Sequence, residues 1–388
     1  MHRTSRNAAP RLMARSLAVA CAAMLLGALA STAALGVQPR SYDVTPSPNA
    51  GPGANRLTSV SCVSTTCVAV GSAVVAGRRT TLVERRVSNR WSIVASPSPG
   101  SMGSELDSVS CVTPSACVAV GSWQSGSAPR TLVERWNGST WRVVASPDVG
   151  GRANSLQGVS CATATRCVAV GYYFANASAT GTLAETWSGG AWTQAASGNA
   201  ASGANYLVAV SCPSPQSCAI SGYDFQGGIG RPLIEHWDGR SARVVRSPPV
   251  SSTNAGLNAV SCESTTTCVA AGYAVMGPVT KTLTLRLIAS SWRVVASPNV
   301  GPFSNNLTAI SCPSGSLCEA AGSYNSGTTD RSLVERWNGS TWSPVATKQI
   351  GSAPQDLYGV SCTSATSCVV VGSTVLGSVE RTLVETGH

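Results

Sequence analysis

The amino-acid sequence predicts an all-β fold: a seven-bladed β-propeller of four-stranded blades, in which the N-terminal strand completes the last blade and closes the ring. Three observations predict it. The chain repeats itself about every fifty residues, every repeat carries two cysteines, and the first and last repeats are cut at complementary points. The blades of a propeller are four-stranded sheets of roughly this length, and they bury their faces against one another around a central axis.

The repeat is defined by the first cysteine of each pair, which recurs at intervals of 49, 50 or 51 residues. A chain of 388 residues could hold two or three ordinary domains, but 38 glycines and 21 prolines favour one large, turn-rich repetitive domain. The seven first cysteines are Cys62, Cys111, Cys161, Cys212, Cys262, Cys312 and Cys362.

Four short strands, A to D, follow one another within a repeat, as in residues 106–111, 117–121, 131–136 and 141–146 of the second copy. These segments are rich in Val, Thr and Trp and are bounded by Gly, Pro, Asn and Ser, a pattern that predicts strands. The Asn-Gly dipeptide at 137–138 predicts a tight hairpin between strands C and D, because both residues tolerate positive φ. The tryptophans that flank this turn are expected to pack across the two strands.

The two ends of the chain predict how the ring closes. The last repeat stops after its strand C, at residues 382–385, whereas residues 41–48 match the strand D sequence at 141–148. The N-terminal strand should therefore complete the last blade and remove the open sheet edges. The third residue of strand A is always small, as expected where seven innermost strands crowd around an axis. These residues are Ser59, Ser108, Gly158, Ala209, Ala259, Ala309 and Gly359.

The fourteen cysteines that follow residue 33 form one pair per repeat, and each pair brackets the turn between strands A and B. We therefore expect seven hairpin disulfides, each of which contributes about 2 kcal/mol by closing a short loop. Zinc binding is the alternative, but six pairs have the spacing C-x5-C and only His236 and His388 follow residue 33, so we expect no metal and no cofactor. The second cysteines are Cys67, Cys117, Cys167, Cys218, Cys268, Cys318 and Cys368.

The N-terminal 33 residues predict a secretory signal peptide. Four arginines precede an apolar run at 16–36, and the small residues at 28–33 fit a cleavage site. The predicted organisation is a signal peptide at 1–33, a short linker at 34–40 and the propeller at 41–388. A retained N-terminal anchor is the alternative, and it would be the only link to a membrane. We expect a secreted monomer, free or associated with the cell wall.

The distribution of charge argues against a nucleic-acid partner. The full chain carries a net charge of +10, and loss of the four N-terminal arginines reduces the 27 basic residues to 23, which leaves +6 against 17 acidic residues. The remaining basic residues are scattered without a cluster, so no nucleic-acid binding is expected. A weak attraction to an anionic cell wall is compatible with this charge.

A glutamate recurs in strand C of every repeat except the fifth, where Leu285 takes its place. A carboxylate can serve acid–base catalysis, but an active site is rarely repeated six times. A buried hydrogen bond between blades, or a pairing with arginine, accounts better for a symmetric residue. The six residues are Glu84, Glu134, Glu185, Glu235, Glu335 and Glu385.

Residues that break the symmetry are better candidates for a ligand-binding site. The second residue of strand A varies between repeats and is expected near the entrance of the central channel, where we select Asp107, Asn258 and Tyr358. Aromatic residues also follow the strand B glycine in five repeats. Aromatic rings beside polar groups on a concave face suit a carbohydrate or a peptide, although the same rings could simply pack against the outer strands. The aromatic candidates are Trp123, Tyr173, Tyr223, Tyr273 and Tyr324.

The segments SCVTPSACVAVGS at 110–122 and TLVERWNGSTWRVVASP at 131–147 resemble a repeat of secreted actinobacterial proteins that are predicted β-propellers. The resemblance covers nearly all of the chain after the signal segment, and it implies export and a propeller fold but no activity. NGSTW at 137–141 also resembles the Asp-box of sialidase-type propellers, with a different spacing. The three arginines, the acid and the tyrosine nucleophile of sialidases cannot be located, so no catalytic residue is carried over.

Three functional hypotheses follow. The first is a secreted, disulfide-stapled propeller that binds glycans or proteins outside the cell. The second is an extracellular glycoside hydrolase or lyase that uses acids such as Asp107 or Asp224, although the sequence contains no nucleophile motif and no evident carboxylate pair. The third is a structural surface protein without a small ligand.

Overall fold

The computed structural model describes residues 41–387, which form 28 β-strands in seven four-stranded blades. This arrangement confirms the predicted fold class. The signal peptide and linker predicted at 1–40 lie outside the described residues. Within the described part of the chain, no helix is long and apolar enough to cross a membrane.

The first three blades follow one another along the chain, each as an antiparallel meander. Blade one comprises β2 (Asn55–Val63), β3 (Thr66–Val75), β4 (Arg78–Val87) and β5 (Arg90–Ile93). Blade two comprises β6 (Gly103–Thr113), β7 (Ala116–Gln124), β8 (Arg130–Trp136) and β9 (Trp141–Val143). Blade three comprises β10 (Asn154–Thr163), β11 (Arg166–Phe174), β12 (Thr180–Trp187) and β13 (Trp192–Ala195).

The next three blades repeat the same meander. Blade four comprises β14 (Asn205–Ser214), β15 (Ser217–Gln226), β16 (Ile229–Trp237) and β17 (Ala242–Val245). Blade five comprises β18 (Asn254–Cys262), β19 (Cys268–Met276), β20 (Val279–Ile288) and β21 (Ser291–Val295). Blade six comprises β22 (Asn305–Ser314), β23 (Leu317–Asn325), β24 (Asp330–Trp337) and β25 (Trp342–Thr347).

Blade seven joins the two ends of the chain, as the sequence predicted. Its outermost strand is N-terminal: Tyr42 pairs antiparallel with Gly387 and also pairs in parallel with Thr347 of blade six. The Tyr42 side chain is buried, at 1% exposure, and packs into the core between blades six and seven. The strands of this blade are β26 (Gln355–Ser364), β27 (Ser367–Leu376), β28 (Val379–Gly387) and β1 (Ser41–Val44).

The hydrophobic core lies between blades, and each part of it combines side chains from two neighbouring sheets. Between blades one and two, Val68 and Val70 of β3 pack with Leu106 and Val109 of β6. The same combination recurs at the other interfaces around the ring. Each blade is therefore stabilised mainly by its neighbours, as expected for a repeat protein.

The serine that precedes each first cysteine links neighbouring blades. Its hydroxyl accepts a hydrogen bond from the backbone N–H of the first cysteine in the next blade, at 2.9–3.0 Å in all seven interfaces. These N–H groups lie on the edge of the innermost strand, where no further strand pairs with them, so the serine satisfies a donor that would otherwise be unpaired. The acceptors are Ser61, Ser110, Ser160, Ser211, Ser261, Ser311 and Ser361.

The small third residue of strand A allows the innermost strands to approach closely. A Cβ atom placed on Gly158 would lie 2.9 Å from the Cα of Ala209 in the next blade. At the ring closure, a Cβ on Gly359 would lie 2.9 Å from the Cα of Ser59. Both distances are too short for a real side chain, which confirms the steric reason for the pattern.

All seven predicted disulfides are present, one in each blade. Each bridge joins strands A and B across their hairpin, with Cα atoms 3.9–4.1 Å apart. The bridge therefore fixes the end of strand A that carries the cysteine N–H. Covalent and hydrogen-bonded links between strands thus meet at the same residue of every blade.

The turn between strands C and D differs from the predicted two-residue hairpin. Within this turn of blade two, only Gly138 has a positive φ, of 98°. The side chain of Asn137 closes a four-residue loop, because its Oδ1 atom accepts hydrogen bonds from the N–H groups of Ser139 and Thr140 at 3.0 and 2.9 Å. A turn with two positive φ values occurs instead in blade one, at 88–89. Asparagine therefore acts here through its side chain, in an Asx turn.

All six recurrent strand C glutamates are buried, and five of them link neighbouring blades through a serine, whereas Glu335 has no hydrogen-bond partner. Glu134 is 0% exposed and accepts a 2.6 Å hydrogen bond from Ser96 of the preceding blade. Glu84, Glu185 and Glu235 accept hydrogen bonds from serines of the preceding blade in the same way. This arrangement confirms the structural interpretation of the repeated carboxyl group.

Burial raises the pKa of these carboxyls far above the ordinary value of 4.5. The pKa of Glu235 rises to about 7, and the pKa values of the other five rise to about 8. The serine hydrogen bonds oppose this effect, but desolvation outweighs them. In blade five, where Leu285 replaces the glutamate, Ser247 of the preceding blade donates instead to the carbonyl of Pro232. The protonated carboxyl is thus the form that fits the interface.

The raised pKa values predict that the fold loses stability as the pH rises. Protonated glutamates stabilise the fold fully below about pH 4.5, and this contribution is lost as the pH passes through about 8. The melting temperature should therefore fall between pH 5 and pH 9. Glu335→Gln should remove roughly one sixth of that fall, since Gln stays neutral. The exposed control Glu263→Gln should follow the wild-type curve, and a pH profile unchanged by Glu335→Gln would contradict the assignment.

The close approach of the innermost strands predicts a steric cost for added atoms. Gly158→Ala should lower the free energy of unfolding by about 1–3 kcal/mol, because the new Cβ meets backbone atoms that cannot move aside. Chemical denaturation measures the change. Gly151→Ala is the matched control, because a Cβ at that position meets no atom within 4 Å. Equal stabilities of the two variants would argue against crowding at the axis.

Candidate ligand-binding site

The innermost strands of all seven blades surround a central cavity of about 370 Å³. The second residue of strand A lines this cavity in every blade, in keeping with its expected place near the channel entrance. Asp107, Asn258 and Tyr358 are all among the lining residues. The remaining four are Thr58, Gln157, Val208 and Thr308.

Several of these second-position side chains bridge to the next blade. Thr58 donates to the carbonyl of Leu106 at 2.8 Å, and Thr308 donates in the same way to the carbonyl of Leu357. The amide nitrogen of Asn258 donates to the carbonyl of Leu307 at 2.8 Å and to the Asn306 side chain at 3.0 Å. Asn258 therefore contributes to blade packing as well as to the wall of the cavity.

The mouth of the channel is formed by the residue before the strand A leucine and by its partner on strand B. The strand B partner is tyrosine in blades three, four and five and serine in the other four blades. The strand A residue is charged in blades seven, one and two, as Asp356, Arg56 and Glu105. The mouth is therefore divided into an aromatic side and a charged side.

The aromatic side, which we call the tyrosine arc, consists of Tyr172, Tyr206, Tyr223 and Tyr273. The ring centroids of Tyr206 lie 5.0 Å from those of both Tyr172 and Tyr223. The rings of Tyr223 and Tyr273 both lie over Gly256, where an added Cβ would be 3.3 and 3.1 Å from them. Burial, with smaller contributions from the neighbouring tyrosines, raises the pKa of Tyr223 to about 12. Burial likewise raises the pKa values of Tyr172 and Tyr273, and all four rings of the arc are half-buried.

The charged side, which we call the charged arc, consists of Arg56, Arg79, Glu105, Asp356 and Glu380. Arg56 forms an ion pair with Glu380 at 2.8 Å, and Arg79 forms one with Glu105 at 2.8 Å. Each pair joins blade one to a neighbouring blade. Burial raises the pKa of Asp356, and the Arg56 guanidinium partly opposes this effect. Both signs of charge are thus fixed at the mouth.

Tyr358 and Asp107 also line the beginning of the channel. The Arg56 guanidinium carbon lies 5.3 Å from the centre of the Tyr358 ring, a cation–π contact. Asp107 lies 3.4 Å from the amide nitrogen of Gln157. Burial in the narrow mouth raises the pKa of Asp107 to about 8, and the Glu105 carboxylate raises it further, while Arg79 and Arg56 lower it. Asp107 is accordingly a polar group that can donate a hydrogen bond near neutral pH.

The other aromatic candidates do not join the tyrosine arc. Successive side chains of a strand point to opposite faces, so the first residue after the strand B glycine faces the mouth and the second faces the blade core. Trp123, Tyr173 and Tyr324 occupy the second position and pack against the cores of blades two, three and six. The Trp123 indole N–H also donates to the carbonyl of Thr131 at 3.0 Å. Packing in the core therefore accounts for the positions of these three residues.

Trp123 also borders a separate outer depression of about 720 Å³ between blades two and three. The depression is lined by Arg130, Arg152 and Asp148 together with small residues of two loops. Asp224 lines another outer depression, of about 450 Å³, and is itself buried. The two acids of the enzymatic hypothesis therefore lie in different cavities and form no pair.

The sequence analysis missed Tyr206, Arg56, Glu105 and Asp356. All four occupy one position, the residue immediately before the strand A leucine. That position varies between repeats as strongly as the second position of strand A, so the same search, applied two residues earlier, would have found them. The described residues contain no group of three or more His, Cys, Asp or Glu side chains that could hold a metal ion.

Comparisons with known proteins identify the fold and no family. No protein-family model matches the chain, and no curated protein matches its sequence significantly. YCF48 bound to a D1 peptide is similar in structure, with a TM-score of 0.54 and 11% identity over 90% of this chain and 96% of that chain. An ulvan lyase of family PL25 bound to -[GlcA(1-4)Rha3S]- has a TM-score of 0.53 and 8% identity, covering 86% and 93%.

A mutant Trypanosoma rangeli sialidase displaying trans-sialidase activity has a TM-score of 0.48 and 12% identity, covering 90% of this chain and 58% of that chain. YCF48 and the ulvan lyase are propellers, and at these identities the likeness shows a shared fold alone. The seven disulfides add that the protein is suited to an oxidising, extracellular environment.

The surroundings of Asp107 at the mouth predict that its carboxyl titrates well above the ordinary range. In a ¹³C-carboxyl NMR titration, Asp107 should titrate near pH 8, because burial disfavours its charged form. Asp238, exposed in the turn of blade four, should titrate below the ordinary 3.8, because two backbone N–H groups stabilise its carboxylate. Arg79→Ala should raise the Asp107 value further, and an Asp107 pKa near 4 would contradict the described mouth.

Proposed function

We propose that this protein is an extracellular binding module that takes a glycan at the mouth of its central channel. The observation that carries the proposal is the tyrosine arc facing the charged arc across that mouth. Tyr172, Tyr206 and Tyr223 offer half-buried aromatic surface, and Arg56 and Asp107 offer hydrogen-bonding groups beside it. A sugar ring has an apolar C–H face and a polar hydroxyl edge, and this pairing of surfaces matches both.

The asymmetry of the mouth supports binding at this face rather than a purely structural role. The buried serines, cysteines and glutamates of the repeat are nearly the same in every blade, because they hold the ring together. The mouth residues have no such structural repetition, and three successive blades contribute tyrosines to one arc. YCF48 with its D1 peptide and the ulvan lyase with its saccharide show that propellers of this shape accommodate either kind of ligand.

A second candidate function, cleavage of a polysaccharide, is favoured by one observation. The raised pKa of Asp107 would leave a carboxylic acid at the mouth near neutral pH, as a general acid requires. A hydrolase would also need a second carboxylate at a suitable distance. Of the other carboxylates at the mouth, Glu105 and Glu380 are held in ion pairs with Arg79 and Arg56, so binding remains our first proposal.

Co-sedimentation of the oxidised protein with insoluble polysaccharides and cell-wall preparations tests both candidates. We expect the protein to pellet without release of soluble sugar. Tyr206→Ala should weaken binding about 10-fold or more, because it removes the centre of the tyrosine arc. Phe303→Ala is the matched control, since this exposed aromatic residue lies outside the arc, and it should bind as the wild type does.

The other outcomes decide between the hypotheses. Release of soluble sugar that Asp107→Asn abolishes would replace the binding proposal with the enzymatic one. Pelleting that Tyr206→Ala leaves unchanged would place the glycan site elsewhere. If nothing pellets, glycan binding is contradicted, and a protein ligand or a structural role takes its place.

A further inference from the structure

A stacking contact between blades recurs at the end of the strands that carries the disulfides. The residue after the strand C glutamate, or after Leu285 in blade five, is an arginine in several blades, and in three of them its guanidinium lies over the first tryptophan of the next blade. The distances from guanidinium carbon to ring centre are 4.4 Å for Arg135 over Trp187 and 4.5 Å for Arg286 over Trp337. The indole therefore fills the space between two blades, and the arginine covers it.

The carbonyl three residues after the first cysteine accepts a hydrogen bond from an indole in some blades and from an arginine in others. The Trp136 indole N–H donates to the carbonyl of Pro114, three residues after the first cysteine, and Trp237 donates to the equivalent Pro215, both at 3.3 Å. The arginines reach the same hairpin of the next blade, as where Arg286 donates to the carbonyl of Gly315 at 3.4 Å. The interfaces thus provide a planar slot for an indole and a carbonyl acceptor beside it. This acceptor takes the indole N–H in blades two and four, whereas Gly315 takes the arginine of the preceding blade and the Trp337 indole N–H has no hydrogen-bond partner.

Both halves of the contact are replaced between blades four and five. His236 stands where the arginine is expected, and Leu287 stands where the tryptophan is expected. The Nε2 atom of His236 lies 3.2 Å from the hydroxyl of Ser217 in its own blade, so it does not cover the next blade as the arginines do. Two other blades also lack a tryptophan at this position. Blade one has the long Arg86 there, and blade seven has Gly387, which pairs with the buried Tyr42.

These replacements coincide with a pocket of about 220 Å³ between the two blades, which we call the blade four–five pocket. Ile234, Val245, Leu287 and Trp292 provide apolar walls. Its polar lining residues are Ser217, Glu235, His236, Thr265, Thr266 and Ser290. Thr265 is three residues after the first cysteine of its blade, the position whose carbonyl accepts the indole N–H in blades two and four.

We propose that the blade four–five pocket binds a small planar aromatic ligand with a ring N–H, of the indole type. The ligand would take the place of the indole that Leu287 does not supply, packed against the apolar wall of Ile234, Val245 and Trp292, with its N–H directed to the Thr265 carbonyl. The volume is sufficient, because an apolar cavity of about 150 Å³ already admits benzene. The pocket lies at the disulfide end of the strands, so this proposal is independent of the glycan proposed for the channel mouth.

Isothermal titration calorimetry with free indole tests the proposal on the oxidised protein. We expect one molecule of indole per chain in the wild type and no binding in Leu287→Trp, whose side chain fills the slot. Leu287→Met is the matched control, because it conserves volume and polarity and should retain the affinity within about threefold. Near-ultraviolet circular dichroism and the melting temperature would show whether each variant is folded.

Indene, which has the shape of indole but no N–H, separates the two parts of the proposal. We expect it to bind about 5- to 10-fold more weakly than indole, the ratio for one lost hydrogen bond. Equal affinities would overturn the role assigned to the Thr265 carbonyl. Absence of indole binding at millimolar concentration, or unchanged binding in folded Leu287→Trp, would overturn the pocket itself.

Discussion

The propeller depends on how the unpaired backbone N–H groups on the inner edge of each innermost strand find hydrogen-bond acceptors. Strand A ends a sheet, so its outward N–H groups have no strand to pair with, and seven such edges meet around the axis. The Ser-Cys dipeptide provides the solution, because each serine hydroxyl accepts the cysteine N–H of the next blade while the cysteine is fixed to its own strand B. These hydrogen bonds join all seven blades, and β1 adds the fourth strand of blade seven.

Most of the fold could be predicted because the residues that determine it recur in every repeat. The period, the disulfide pairs and the permuted ends each follow from the order of residues alone, and the structure confirms them. The turn at Asn137 was less accessible, because Asn-Gly is compatible both with two positive φ values and with a side-chain-closed loop. The serine links were also missed, since Ser is common in this chain and nothing in one repeat shows that its partner lies in the next.

The site was only partly predictable, for reasons of strand geometry. Variability between repeats led to side chains that line the central cavity, but it also grouped Trp123, Tyr173 and Tyr324 with Tyr223 and Tyr273, from which they differ by one residue of register. A shift of one residue along a strand moves a side chain from the side that faces the mouth to the side that faces the core. Tyr206 was missed because its role arises from contact with Tyr172 of another blade. The residues that repeat in every blade hold the ring together, whereas the two sites that we propose, at the mouth and at the blade four–five pocket, lie where the repeat is broken.

Amide hydrogen exchange at the seven first cysteines tests the central structural claim most directly. We predict that the N–H groups of all seven, from Cys62 to Cys362, exchange as slowly as amides paired within the sheets, because a serine of the preceding blade holds each one. The closing bond from Cys62 to Ser361 should be as protected as the other six. Exchange at the rate of exposed hairpin amides would contradict the account, since the inner edges of the blades would then be open.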